Sequence, residues 1–414
     1  MNIDKEQLDF LLNKSETFCA LAWTHVTTTP SGFARTCCIS TPWPDKPINL
    51  ADHNSVQDII NSEPMKLLRL DMLNNIKNSN CANCYEHEQY NIGSMRQDFN
   101  KSYRKIISEP LVNTEPGGHI NDFKLKYYDF RLNNICNMKC RTCCSANSSL
   151  WEIEDAKQGK RLPVKIDKQV KDVFLNDVIN NIEHLHEVYF AGGEPLIMEE
   201  HYIILEELIR KGHTDVKLRY NTNLSVLKYK DKDILDLWSK FDEKVYVSVS
   251  LDHFGDKAEY IRNGTKWADI EKNMSLLHQH KNVTVSINTV LSVFNFLTLP
   301  DFYRYIINKG WYSNKHSPMS LYMLTHPTYL DARILSPALK KQGLEDIDKL
   351  ISYMKSIGFS DNNLAVLEQI SGWVLSIDQW SAKGQKFKTE IERLDKLRLE
   401  NFVETFPELK SLLD

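Results

Sequence analysis

The 414 residues suffice for two domains, or for one large domain with an appendage. With 42% hydrophobic and 26% charged residues, the chain has the composition of a packed globular protein, which excludes a disordered or fibrous one. A formal net charge of −4 does not call for nucleic acid or an anionic membrane as partner, although it leaves room for a local basic groove.

The opening stretch MNIDKEQLDFLLNKSE has no basic segment followed by an apolar run, and no apolar run anywhere is long enough to span a bilayer. The expectation is a soluble, cytoplasmic protein without a membrane partner. Nine cysteines fall into three tight groups, 19/37/38, 81/84 and 136/140/143/144. In a reducing compartment this is not a disulfide framework. Scattered buried thiols would not cluster in this way, so the grouping points to thiolate ligands.

Residues 1–120 contain turn-rich stretches such as TTTPSGFARTCC and TPWPDKP, with one helix predicted from about Ser62 to Lys77. So thin a core needs a staple, and a small metal-binding module is expected. The boundary falls near EPGGHIND, residues 115–122, where Pro and paired Gly punctuate the chain. Across 121–330 buried strands are predicted at Leu125–Leu132, Glu187–Phe190, Val216–Asn221, Val245–Leu251, Val283–Leu291 and Ser320–Leu324. Between them run helical patterns, with Leu205, Leu208 and Ile209 on one face and Trp267, Ile270, Met274 and Leu277 on another. Alternating strands and helices specify an α/β fold with a parallel sheet, either a partial (β/α)6 TIM-like barrel or an open doubly wound sheet. In both, chemistry belongs at the carboxyl ends of the strands. From 331 to 414 the pattern is helical, with Leu344, Ile347, Ile351 and Met354 on one face, and this tail is expected to pack on the barrel or on a partner.

Directly after the first of these strands comes Cys136-Asn-Met-Lys-Cys140-Arg-Thr-Cys143. Spacings of four and three wrap three thiolates around the corners of an iron–sulfur cube, with one iron left open for chemistry. The competing reading is a structural zinc ion, which favours four ligands and paired Cys-x2-Cys spacing; Cys144 is the available fourth thiol, awkward as an immediate neighbour of Cys143.

This Cys-x3-Cys-x2-Cys spacing after a first strand resembles the signature of the radical S-adenosylmethionine (SAM) superfamily. Other stretches resemble that family in the same order. Ala191-Gly192-Gly193-Glu194-Pro195 is similar to its Gly-Gly-Glu motif, which implies contact with the amino group of SAM through Gly192, Gly193, Glu194 and Pro195. Thr222-Asn223-Leu224 resembles Thr-Asn-Gly, with Leu224 in place of the glycine. Ser248-Val249-Ser250-Leu251-Asp252 and Tyr260-Ile261-Arg262-Asn263-Gly264 resemble Ser-Leu-Asp-Gly and Ile-Arg-Gly, with His253 and Asn263 replacing glycines. The resemblance implies that Ser250 and Arg262 hold the ribose and carboxylate of SAM, a role suited to a guanidinium fork. It places Asn288 to Asn295 near the adenosine. Thr142 stands where many relatives carry an aromatic residue.

Cys19, Cys37, Cys81 and Cys84 are spaced as two separated pairs able to close around zinc or an iron–sulfur cluster, with Cys38 an alternative to Cys37 and His87 a further candidate or a surface residue. PMKLLRLDMLNNIKNSNCANCYEHE resembles the approach to the Cys-x2-Cys of the SPASM and twitch auxiliary-cluster modules, although here the module precedes the barrel and the cysteines of a second auxiliary cluster are missing. The resemblance implies two cofactor sites: a [4Fe-4S] cluster with SAM, and one auxiliary iron–sulfur cluster, expected to be [4Fe-4S]. It implies reductive cleavage of SAM to a 5′-deoxyadenosyl radical that abstracts hydrogen from a substrate, with an external one-electron donor such as flavodoxin or ferredoxin. A peptide substrate is favoured. The alternatives are RNA, a small metabolite, or a non-enzymatic zinc scaffold; no basic groove or RNA-binding module supports the first. Asp252 is read as ordering its loop, and no catalytic base is assigned.

Overall fold

The computed structural model describes residues 4–43, 45–89, 93–313 and 320–414. The chain is organised as two compact units, each assembled from separated stretches. The first comprises Met1–Asn134, Leu162–Arg219 and Ser239–Glu243, and the second Ile135–Arg161, Tyr220–Trp238 and Lys244–Asp414. The strands are β1 (His25–Thr28), β2 (Phe33–Arg35), β3 (Ile48–Asn49), β4 (Tyr127–Asp129), β5 (Glu187–Phe190), β6 (Lys217–Thr222), β7 (Lys228–Tyr229), β8 (Lys232–Asp233), β9 (Val245–Ser250), β10 (Val283–Leu291) and β11 (Ser320–Met323). The fold is α/β, and its longer strands pair mostly in parallel.

In the first unit β1 pairs parallel with β4, and β4 with β5, in the registers Thr27–Asp129 and Tyr127–Glu187. The short β2 and β3 continue from β1 as an antiparallel meander. These three N-terminal strands are absent from the sequence expectation, which reads this region as turns and one helix. His-Val-Thr-Thr is β-branched enough for a strand but too short to show an alternation, because Pro30-Ser31-Gly32 turns the chain at once. The expected helix runs Glu63–Leu73, with Pro64 in its first turn and Met65, Leu68 and Met72 buried. Its end comes earlier than the pattern suggests, because Asn75 adopts φ 57°, the left-handed conformation that stops a helix.

In the second unit β9, β10 and β11 pair in parallel, and β7 and β8 form a hairpin. Strand β9 buries Val245, Val247 and Val249 and turns Ser248 and Ser250 to the other face, the period of two that a sheet imposes. The helix Trp267–Gln279 buries Trp267, Ile270, Met274 and Leu277, the face expected from their spacing. The tail is helical over Pro337–Ser356, Asp361–Leu375 and Trp380–Arg398. It packs on its own unit: a Cβ at Gly343 would stand 2.2 Å from Phe296, so only glycine allows that approach. Farther on, Phe402 and Phe406 join Tyr260 and Phe294 in an aromatic cluster, and burying each of these two phenylalanines contributes about 1.5–3 kcal/mol. No helix among the described residues is long and apolar enough to cross a membrane.

Candidate functional site

The cysteine loop belongs to the second unit, and its shape is fixed by the helix that follows it. Ser148 caps the helix Ser149–Lys157 through the Trp151 amide, and its hydroxyl donates to the Met138 carbonyl at 2.6 Å. Ser149 bonds both backbone groups of Cys136 at 3.2 Å, and the Trp151 indole donates to the Cys140 carbonyl at 2.7 Å. Two backbone amides of the loop, Lys139 and Arg141, donate to the carbonyls of Asn263 and Ile261 at 2.7 and 2.8 Å. Between those two carbonyls lies Arg262. Gly264 completes this seam: its φ is 105°, and a Cβ there would stand 2.8 Å from the Asn137 carbonyl oxygen.

Arg262 is buried, with Nη1 3.9 Å from the Cys140 sulfur and Nε 2.9 Å from Oδ2 of Asp252. Burial opposes its charge, but the Asp252 carboxylate and then the Cys140 sulfur outweigh burial and raise the guanidinium pKa above its usual value. Asp252 in turn accepts the Val290 amide at 2.8 Å, and so ties Arg262 to the end of β10. Burial raises the Cys140 thiol, with Arg262 pulling the other way, and burial followed by the neighbouring Cys140 pushes Cys143 up to about 12. Thiols this reluctant to ionise need a cation beside them to become ligands, a charge that iron would supply. Cys144 is exposed and lies outside this seam.

Asn223 follows the last residue of β6 and faces the cysteine loop. Its Nδ2 donates to Oδ1 of Asn137 at 3.0 Å, while Asn137 donates to the Ser225 hydroxyl at 2.8 Å. Leu224, where the resemblance calls for glycine, has φ 56°; full burial of its side chain offsets that strain. Ser250, the last residue of β9, stands in register with Asn288 on β10, and Asn288 with Ser320 on β11, so a polar row crosses these three strand ends. The Oδ1 of Asn288 is buried without a protein partner.

Gly192, Gly193, Glu194 and Pro195 lie in the first unit, after β5. Gly192 has φ 113°, a conformation that favours glycine, and a Cβ there would stand 3.6 Å from the Arg131 side chain. Glu194 is buried, and its Oε1 accepts the Leu196 amide at 3.0 Å to start the short turn Pro195–Ile197. Asp129 holds Arg131 by its Nε and Nη2 at 3.0 and 3.2 Å.

The same unit gathers Cys19, Cys37, Cys81 and Cys84 around one pocket, which Met95 and Arg96 also line. Burial, followed by the neighbouring thiols, raises Cys19, Cys37 and Cys81, the last to about 12. Cys38 faces elsewhere, and after burial its titration answers to Asp129 and Arg131. His87 is exposed and does not line the pocket. Arg96, absent from the sequence reading, pins the Cys19 segment: Nη1 donates to the carbonyls of Ser15 and Phe18, and Glu88 neutralises it at 2.6 Å. Its only signal in the sequence is an arginine shortly after the last module cysteine.

Among the described residues no group of three or more His, Cys, Asp or Glu side chains is drawn together as a single metal ion requires. The four module thiols line one small pocket. Soft thiolates, three on one loop and four in the module, are the donor sets that iron–sulfur clusters take.

Comparison with known proteins agrees with this chemistry. Residues 130–306 match the radical SAM superfamily, and residues 19–85 match the SPASM iron-sulfur cluster-binding domain. No curated protein matches the chain. Among solved structures it is similar to anSMEcpe with bound AdoMet and Cp18Cys peptide (17% identity, 55% of this chain and 60% of that one, TM-score 0.37). It is also similar to SuiB of Streptococcus suis bound to S-adenosylmethionine (15% identity, 72% and 59%, TM-score 0.36). The chain spans 58–61% of the length of the anSMEcpe structures it matches. The first family match brings a [4Fe-4S] cluster that binds SAM, and the second an auxiliary iron–sulfur cluster. The chain thus carries a radical SAM region over residues 130–306, with a SPASM-type iron–sulfur module, residues 19–85, ahead of it.

Proposed function

We propose that this chain cleaves SAM reductively and directs the resulting 5′-deoxyadenosyl radical to hydrogen abstraction from a peptide. The observation that carries this reading is the approach of the Arg262 guanidinium to the Cys140 sulfur, with Asp252 holding it from behind. It sets a carboxylate-binding fork beside a thiolate loop, as a ligand that spans cluster and protein requires. When bound, the cluster supplies the electron that splits SAM and an open iron for its amino and carboxylate groups.

The residues divide this work. Cys136, Cys140 and Cys143 hold the cluster, and Arg262 pairs with the SAM carboxylate. The Gly192–Pro195 turn receives the methionine amino group, with backbone that only glycine lets come close. Ser250 meets the ribose. Asn223 keeps the cysteine loop in place through Asn137. Cys19, Cys37, Cys81 and Cys84 hold the auxiliary cluster. We read the parallel strands as a partial (β/α)6 barrel over residues 121–330, between the module of 1–120 and the helical region of 331–414. The choice of a peptide as substrate is supported by the presence of the auxiliary module, which in the family often accompanies peptide modification; electrons come from a flavodoxin- or ferredoxin-type donor.

Anaerobic purification, reconstitution with iron and sulfide, and an assay of dithionite-dependent SAM cleavage test this. About eight iron atoms per chain are expected from two four-iron cubes, with cleavage abolished when Cys136, Cys140 and Cys143 are all changed to Ala. No SAM cleavage under any reductant overturns the reading.

A further inference from the structure

Within the Cys-x3-Cys-x2-Cys loop, the residue after the second cysteine is Arg141, and its side chain is fully buried. Its Nη2 lies 2.6 Å from Oδ1 of Asp395 and 2.6 Å from Oε2 of Glu400, and its guanidinium sits 3.7 Å above the Tyr260 ring. Tyr260 donates its hydroxyl to the same Asp395 oxygen at 2.7 Å. The other oxygen of Glu400 accepts from Asn263 at 2.8 Å. Two residues earlier, Arg398 donates to the Lys139 carbonyl at 3.0 Å and to Glu154 at 2.9 Å, with its guanidinium 4.6 Å from the Trp151 ring.

The backbone of the tail is bent to make these contacts. Leu399 is left-handed, with φ 57°, and 95% exposed. A leucine is disfavoured there on both counts. The bend lets its two neighbours, Arg398 and Glu400, both reach the cysteine loop. The tail thereby grips the loop at Lys139 and Arg141, the same two residues whose amides bond the Ile261–Asn263 segment around Arg262.

We propose that the Asp395–Glu400 segment is a clamp that sets the cysteine loop and Arg262 in register, with Arg141 as its positioning residue. The proposal rests on the reading of Cys136, Cys140 and Cys143 as cluster ligands. A buried guanidinium is retained only where carboxylates neutralise it. Here the two carboxylates come from a segment more than 250 residues away in sequence. Removing them releases the loop between its second and third ligands and loosens Arg262 with it.

The test uses the full-length, reconstituted chain and compares wild type with Asp395→Asn/Glu400→Gln, Arg141→Met and Arg141→Lys. The first readout is the change that SAM produces in the electron paramagnetic resonance signal of the reduced cluster, together with the Kd for SAM. The double variant and Arg141→Met are expected to lose that spectral change and to bind SAM about tenfold more weakly or worse, the usual cost of removing a second-layer partner at a metal site. Arg141→Lys is expected to recover part of both. The second readout is hydrogen exchange of the Lys139 and Arg141 amides in the iron-free chain, which is expected to quicken in the double variant. Faster exchange with an unchanged SAM response reduces the clamp to passive packing and overturns the proposal, as does no change in either readout. A wild-type chain with no SAM-responsive signal overturns the cofactor reading, and the proposal with it.

Discussion

Arg262 stands 3.9 Å from the sulfur of Cys140, and this approach joins the end of the helix Gly255–Ile261 to the cysteine loop. The pairing is selective in geometry. Nε is ion-paired with Asp252, and Nη1 faces the sulfur. Arg262→Lys is expected to keep the charge and lose the fork. SAM binding to the reconstituted protein should weaken by about 1.5–3 kcal/mol, the worth of a charge-assisted hydrogen bond. Anaerobic calorimetry checks it, and an unchanged Kd removes Arg262 from the SAM site.

In the module, Cys37 and Cys38 are adjacent in sequence but face different surroundings. Cys37 shares a pocket with Cys19, Cys81 and Cys84, whereas Cys38 answers to Asp129 and Arg131. Cys37→Ser is therefore expected to lose the auxiliary site, about four iron atoms if a cube is held there, while Cys38→Ser keeps its full complement. Iron and sulfide analysis after identical reconstitution decides it. Equal loss in both variants contradicts the assignment of Cys37.

Gly264 carries two constraints at once, a φ of 105° and the Asn137 carbonyl 2.8 Å from where a Cβ would sit. Gly264→Ala must therefore move the cysteine loop or unwind its own turn. A loss of about 1–3 kcal/mol is expected from a residue forced into so sparse a conformation. Urea unfolding of the iron-free chain measures it. Gly212→Ala is the control, since it shares a positive φ of 70° but has nothing within 4 Å of the added carbon.

The parts of this molecule legible in sequence are those with a period or a fixed spacing. Val245–Ser250 and Val283–Leu291 alternate, and the six strands expected after residue 124 lie within a few residues of their observed ends. The cysteine triplet and the motifs after β5, β6 and β9 follow strand ends, as parallel α/β folds demand. Two classes of feature left no such trace. Strand β1 is four residues long and gains its identity by pairing with the short β2 and with Tyr127–Asp129, a hundred residues on. The partners of Arg141 lie more than 250 residues away, so nothing local distinguishes it from a surface arginine. Neighbouring cysteines were equally opaque, because which of Cys37 and Cys38 turns into the pocket depends on what surrounds each side chain.

His25 on β1 provides a pH-dependent readout of the first unit. Its ring is fully buried and stacked on Tyr127 at 4.3 Å, with Nδ1 bonded to the Tyr127 carbonyl at 2.8 Å and Nε2 without a partner. Burial lowers its pKa from 6.5 to about 3; the Tyr127 carbonyl works in the opposite direction and nearby Arg131 reinforces the drop. The folded chain therefore keeps His25 neutral where the unfolded chain protonates it. Below pH 6.5 the unfolded state binds the extra proton, so stability is complete above that value and falls as the pH drops towards the folded pKa. The slope from this residue is at most about 1.4 kcal/mol per pH unit. His25→Asn preserves a donor near Nδ1 and removes the titration, so its denaturation midpoint should fall less steeply than that of wild type between pH 6 and 4. A residual slope of the same sign is expected from His253, whose pKa burial lowers to about 4. Equal slopes in the two proteins mean that His25 is already protonated, or reached by water, in the folded chain.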